Sequence, residues 1–106
     1  MARWNRTSKW KKTMIARLLE RDGFSCWLCG LPMTQPPKKH NKRISLEHLK
    51  ARSEGGTDDL DNLVLCHQHC NGHLGVRPIA DKLKMRSKWH KVATRAHLLE
   101  KTVKKR

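Results

Sequence analysis

Aromatic residues are nearly missing from this 106-residue chain: it has no tyrosine and one phenylalanine, and four tryptophans supply its other large rings. A core built on aromatic packing is therefore excluded. A chain this short needs reinforcement from elsewhere, because one apolar core is only marginally sufficient at such a length. Long apolar runs are absent too. No stretch approaches the roughly twenty apolar residues of a membrane-crossing helix, so a soluble protein with no membrane partner is expected. The opening stretch MARWNRTSKWKK has no apolar segment of the kind found in a secretory leader, which predicts a cytoplasmic setting and reduced thiols rather than disulfides. Acidic residues are scarce, nine against 24 lysines and arginines, and no internal repeat divides the chain. A single domain over 1–106 is the expectation.

What is present is positive charge, unevenly spread. The formal net charge is +15, of which residues 1–21 carry +6, residues 22–75 carry 0 and residues 76–106 carry +9. The domain thus divides into a basic N-terminal helix region (1–25), a neutral central unit (26–75) and a basic C-terminal helix (76–106). Each Lys or Arg placed on a phosphate releases condensed counterions, so such arms fit a polyanion, with DNA the expected partner. A solvated basic surface, or attraction to a ribosome or a membrane surface, is the alternative that charge by itself leaves open.

Trp10, Met14, Ile15, Leu18 and Leu19 recur at helical spacing, which predicts an amphipathic helix over 10–21, stopped by Asp22-Gly23. Pro32 and Pro36-Pro37 make 31–42 a loop. Strands are predicted over 44–49 and 63–66, separated by a Gly- and Asp-rich loop, and a short helix over 68–75. That order, ββα, gives an α+β fold: two antiparallel strands and a helix, flanked by N- and C-terminal helices. Beyond Pro78 the residues Met85, Trp89, Val92, Ala96, Leu99 and Val103 recur every three or four positions. One face should therefore dock while Lys82, Lys84, Arg86, Lys88, Lys91 and Arg95 stay in solvent. Lys104 to Arg106 should fray.

The four cysteines offer the missing reinforcement. Cys26-Trp27-Leu28-Cys29-Gly30 is a knuckle in which two intervening residues let both sulfurs face one ion. A redox dithiol normally opens a helix after a strand, whereas prolines make a loop here. A tetrahedral zinc site needs two further ligands, and Cys66, His67 and Cys70 can supply them. Cys66 with Cys70 has a three-residue gap, and His67 with Cys70 has the two-residue gap of the first pair. Spacing leaves both open.

Between the two cysteine pairs come an acid-histidine pair, Glu47-His48, a turn, Gly55-Gly56-Thr57, and Asn62-Leu63; the chain then reads His67-x-x-Cys70-Asn71. In this order the elements resemble the HNH endonuclease family, the ββα-metal nucleases, over roughly 21–75. By that resemblance the first ligand of the second pair lies five residues after Asn62. This makes His67, with Cys26, Cys29 and Cys70, a ligand of a structural Zn²⁺, where four cysteines are commoner. The resemblance further implies that His48 is the general base. Glu47 and Asn71 would hold a catalytic divalent cation, Mg²⁺ or another such as Mn²⁺ or Ni²⁺, with His73 a candidate third ligand. Asn62 would pin the loop between the strands and help orient His48. Adjacent strand residues face opposite ways; in the family a distorted strand end brings both to the scissile phosphate. Glu47 stands where the family more often has Asp, one methylene shorter.

The residue types suit that chemistry. Phosphodiester hydrolysis needs a base to activate water and a cation to stabilise developing charge, and histidine titrates near neutrality. The resemblance implies DNA cleavage to 5′-phosphate and 3′-hydroxyl ends. Lys50, Arg52, Arg77, Lys82, Lys84, Arg86 and Lys88 are the expected DNA contacts. The setting it suggests is bacterial or phage-infected cytoplasm, with a phage packaging complex as a partner. The competing reading is a non-catalytic zinc-containing DNA-binding module, which has no need of Glu47-His48. A basic zinc protein of a ribosome or packaging complex would leave Asn62 and Asn71 without a use.

Overall fold

The computed structural model describes residues 8–37 and 39–90. The expectations for residues 1–7, for Lys91, Val92, Arg95, Ala96, Leu99 and Val103, and for the last residues lie outside these. Helix α1 spans Ser8–Asp22. Its apolar stripe buries Met14 and Leu18, with Trp10, Ile15 and Leu19 packed partly against the core. Gly23 ends the helix at φ 79°, in the left-handed region that glycine enters without penalty. Arg21, itself exposed, donates to the carbonyls of Leu60 (2.8 Å) and Leu63 (3.0 Å), tying the end of α1 to the start of the second strand.

The knuckle folds back on itself: Cys26 N–H donates to Leu31 O and Gly30 N–H to Cys26 O, both at 2.9 Å. It docks on the sheet through Trp27 N–H to Leu65 O at 2.9 Å. The sheet is one antiparallel pair, β1 (Ile44–His48) and β2 (Leu63–His67), in register from Ile44↔His67 to His48↔Leu63. Every residue of β2 is buried, since α1, the knuckle and α2 enclose it. The connecting loop closes with Leu49 N–H on Asn62 O at 2.9 Å. Helix α2 (Gln68–Leu74) follows β2 without a linker and buries Cys70 and Leu74. A third helix, α3, runs over 79–90. The Pro78 carbonyl accepts from Asp81 and Lys82 N–H (3.0 and 3.1 Å), so Pro78 sits at the N-cap.

The core is aliphatic and thiol-rich: Leu18, Leu28, Met33, Leu63, Cys26, Cys66 and Leu74 are at most 2% exposed. Against expectation, Lys82 is among them, at 0%. It belongs to the docked stripe of α3 with Met85, Arg86 and Trp89, which follow at three, four and seven residues. Its ammonium is accommodated because oxygen acceptors satisfy its three donors: Glu47 Oε2 at 2.8 Å and the carbonyls of His48 and Leu49 at 2.9 Å each.

The loop carries a position that only glycine can fill. A Cβ at Gly56 would overlap the Lys50 carbonyl oxygen and lie 2.9 Å from Ala51 O. At Gly23 an added Cβ would meet nothing within 4 Å, and only the positive φ opposes it. Gly56→Ala should therefore cost about 2 kcal/mol or more through forced backbone movement, and Gly23→Ala about 1 kcal/mol. Thermal denaturation of both variants checks the order.

Candidate metal centre and acid-histidine site

The knuckle and the β2–α2 junction bring the ligands together. Sγ of Cys26, Cys29 and Cys70 and a ring nitrogen of His67 lie within 4.8 Å of one another, and all four residues are buried. His67 Nδ1 is 3.5 Å from Cys29 Sγ and 3.8 Å from Cys70 Sγ. The ligand atoms of a tetrahedral zinc at ordinary Zn–S lengths are about 3.8 Å apart, so the four fit such an ion with little adjustment. His67 Nε2 is 3.1 Å from Pro32 O. A carbonyl can only accept, so Nε2 carries the proton and Nδ1 keeps its lone pair for a metal. Contacts from Cys29, then Cys66 and Cys70, hold the Cys26 thiol far below its usual range, while Cys29, Cys66 and Cys70 are pushed up, chiefly by Cys26. One thiolate thus suppresses its neighbours, and a cation is what would let them ionise together. Cys66 lies beside Cys26 in the core but outside the four-atom group.

Asn62 holds the loop shut. Its Oδ1 accepts from Lys50 N–H (2.9 Å), and its Nδ2 donates to the carbonyls of Lys50 (3.2 Å) and Thr57 (2.8 Å). Its side chain makes no bond to His48. The imidazole is instead oriented by Asp58: His48 Nε2 is 2.7 Å from Asp58 Oδ1. A carboxylate accepts, so this bond fixes the proton on Nε2 and leaves Nδ1 as the basic nitrogen. Arg52 Nη1 contacts both Asp58 oxygens, at 3.1 and 3.0 Å. Spacing alone did not single out Asp58, ten residues from His48. The available signal was an acid beside the Gly-Gly turn, where a folded-back loop can reach the strand end.

Glu47 is buried, at 6% exposure, and its Oε2 holds the Lys82 ammonium. Burial pushes its carboxyl above the usual range, against the opposing pull of Lys82 and His48. Asn71, half-buried on α2, donates through Nδ2 to Ser45 Oγ (2.7 Å) and Leu46 O (3.0 Å), so its carbonyl oxygen is the atom able to ligate. By strand alternation Ser45 and Glu47 share a face, which is the face Asn71 reaches. A carboxylate and an amide oxygen are hard donors of the type that Mg²⁺ takes, with waters completing its shell. The set therefore fits a divalent cation in chemistry, with Lys82 already on one carboxylate oxygen. His73 is exposed, its ring edge-on to His69 (4.8 Å between centroids) and Trp89 (5.1 Å). No group of three or more His, Cys, Asp or Glu ligands includes it among the described residues.

The basic residues separate by depth. Lys50, Arg52, Arg77, Lys84 and Lys88 are exposed. Arg77 donates to His73 O, and Arg52 is engaged by Asp58. Lys82 was expected among the DNA contacts; wholly buried, its ammonium has no path to a phosphate. Arg86 was expected in solvent as well. It is half-buried, donates through Nε to Trp27 O (2.7 Å) and lies 5.0 Å from the Trp27 ring centroid. His90 Nε2 reaches the same carbonyl at 3.1 Å, so α3 docks on the knuckle by these two side chains.

Residues 26–77 match the family model described as HNH endonuclease. No curated protein and no solved structure matches the chain significantly. Among the described residues, no helix is long and apolar enough to cross a membrane.

The thiol cluster sets a clear expectation. Cys70→Ser should lose tightly held zinc and unfold the domain, since structural zinc supplies folding free energy on the order of 10 kcal/mol. Cys66→Ala should keep its zinc and lose only about 1 kcal/mol, the effect of a small buried truncation. Metal analysis with thermal denaturation distinguishes the two, and the reverse pattern would make Cys66 the ligand.

Proposed function

Residues 26–77 make this chain a member of the HNH endonuclease family, and on that premise we propose that it hydrolyses DNA phosphodiester bonds. His48 is the general base, and Glu47 and Asn71 hold one divalent cation. The observation that carries the reading is the 2.7 Å bond from His48 Nε2 to Asp58. A module that only binds DNA has no use for an imidazole held in one tautomer, whereas proton abstraction from water requires it. His48 takes the proton of the attacking water on Nδ1, and Asp58 stabilises the imidazolium that results. Asn62 acts indirectly, by closing the loop that carries Asp58. A bound divalent cation would offset charge developing on the scissile phosphate. Lys50, Arg77, Lys84 and Lys88 supply sequence-independent phosphate contacts. The zinc site is structural, and the chain acts as one domain.

One observation favours the competing reading, a zinc-bearing DNA-binding module without activity: Lys82 already neutralises Glu47. A single experiment separates the two. Purified protein incubated with supercoiled plasmid in Mg²⁺, Mn²⁺, Ni²⁺, Zn²⁺ or EDTA should cleave only with a supporting divalent cation.

His48→Ala should cut roughly 10²- to 10⁴-fold more slowly while binding DNA and zinc as the wild type does. Full cleavage by that variant would sink the mechanism. Asp58→Asn should lose about 10- to 100-fold, as expected for a partner that orients a reacting group. Replacing Lys84 and Lys88 with Gln should leave turnover at saturation intact and reduce the salt slope of binding by about 2. An unchanged slope would show that this face of α3 points away from the nucleic acid.

A further inference from the structure

Lys82 is the largest fully buried side chain among the described residues. Ammonium groups are almost never wholly buried unless something demands them there. The demand here comes from one end of β1. The carboxylate of Glu47 and the carbonyls of His48 and Leu49 converge on Nζ at 2.8, 2.9 and 2.9 Å. These are consecutive residues, and they form a small oxygen cage around a cation. Hard oxygen donors of this kind also suit a divalent metal. Two cations on one carboxylate repel each other strongly in a site so poorly hydrated.

We propose that Lys82 is the resident counter-ion of Glu47 and competes with the divalent cation for that carboxylate, so that cation loading is linked to the docking of the first turn of α3. The inference rests on the reading that Glu47 holds the cation. When the cation binds, the ammonium leaves the cage, and the buried carboxylate stays neutralised throughout. Linkage makes the effect reciprocal: whatever loosens the first turn of α3 tightens cation binding by the same factor.

The first turn of α3 is built to move at small cost. Ile79 is 40% exposed, Leu83 51% and the preceding Val76 68%, so little apolar burial holds this end apart from Lys82 itself. The other end is fastened separately, by Arg86 and His90 on the Trp27 carbonyl. Release of the lysine therefore does not require α3 to leave the knuckle.

The test follows the amine directly. Zinc-loaded wild-type protein is titrated with Mn²⁺. Binding is read from the electron paramagnetic resonance signal of free Mn²⁺, and Lys82 exposure by pulse acylation with an amine-reactive reagent and peptide mass spectrometry. Lys82 should be protected without Mn²⁺ and become labelled in step with occupancy. Lys82→Met should bind Mn²⁺ at least roughly tenfold more tightly. Without Mn²⁺ it should melt about 10 °C lower, as expected when a buried charge loses its partner, and recover when Mn²⁺ is added. Should that variant not fold, the double change Glu47→Gln with Lys82→Met removes both charges, and it should fold and bind no Mn²⁺ at this site. Continued protection of Lys82, while Mn²⁺ binds the wild type but not Glu47→Gln, would overturn the exchange and leave the cation reading intact. Absence of Mn²⁺ binding in both wild type and Lys82→Met would overturn the cation reading of Glu47, and the exchange with it.

Discussion

Four buried ligand atoms, three sulfurs and one imidazole nitrogen within 4.8 Å of one another, are the constraint on which the rest of the structure depends. They come from two places: the knuckle after α1 and the junction where β2 becomes α2. Besides the shared aliphatic core, the bonds from Trp27 N–H to Leu65 O and from His67 Nε2 to Pro32 O join those parts. The sheet has two strands, and Trp10, Trp27 and Trp89 are only partly buried against an aliphatic core. In a chain this short such a core is close to the limit of self-sufficiency, and a metal held by this cluster would supply what aromatic packing supplies elsewhere. The cluster also fixes where α2 begins, because His67 ends β2 and Cys70 sits in the first turn of the helix. The position of Asn71, one residue on, follows from that geometry.

The second constraint is the closed loop. Three side-chain bonds from Asn62, together with the close approach of backbone at Gly56, force residues 50–62 back against the strand end. Only then does Asp58 come within 2.7 Å of His48. An exposed loop carrying an acid would ordinarily leave it solvated and mobile. Here bonds from Asn62 to the loop backbone already hold it in place and the carboxylate is carried with it, so the imidazole is oriented at little further entropic cost. Asn62 thus bears on His48 through the loop that delivers Asp58, and not by direct contact.

How far the sequence could be read depended on whether the deciding interaction was local. Periodicity located α1, β1, β2 and α2 to within about two residues at each end, the usual uncertainty of such boundaries. Each of these elements is bounded by turn-forming residues or carries its apolar pattern within its own segment. The choice between Cys66 and His67 could not be made from spacing, since both lie at the β2–α2 junction. It turns on three-dimensional placement: both residues reach the knuckle, but only the His67 ring nitrogen joins the sulfurs of Cys26, Cys29 and Cys70 within 4.8 Å. Lys82 was misjudged for a related reason. Helical spacing put it near the docked stripe of α3, but its charge argued for solvent. The compensating carboxylate and carbonyls lie some 35 residues earlier in the chain. Asp58 was missed because its value depends on loop closure, which no spacing rule encodes.

The basic arm presents less charge to solvent than its composition gives. Residues 76–106 carry a formal +9, but charge acts on a distant polyanion only where it faces solvent. Of the basic side chains in the described part of α3, Lys82 is cancelled by Glu47 inside the fold and Arg86 is turned onto the Trp27 carbonyl and ring. Lys84 and Lys88, four residues apart, remain outward on one face, with Arg77 before the helix. The described part of α3 thus uses one face to hold the knuckle and the β1 end in place and another to present charge. The inward basic residues are structural members that the charge balance alone would have assigned to the surface. Any attraction of a polyanion to the described part of this domain accordingly rests on the exposed cations, Lys50 and Arg52 in the loop after His48 and Lys84 and Lys88 on the outer face of α3, and not on the total.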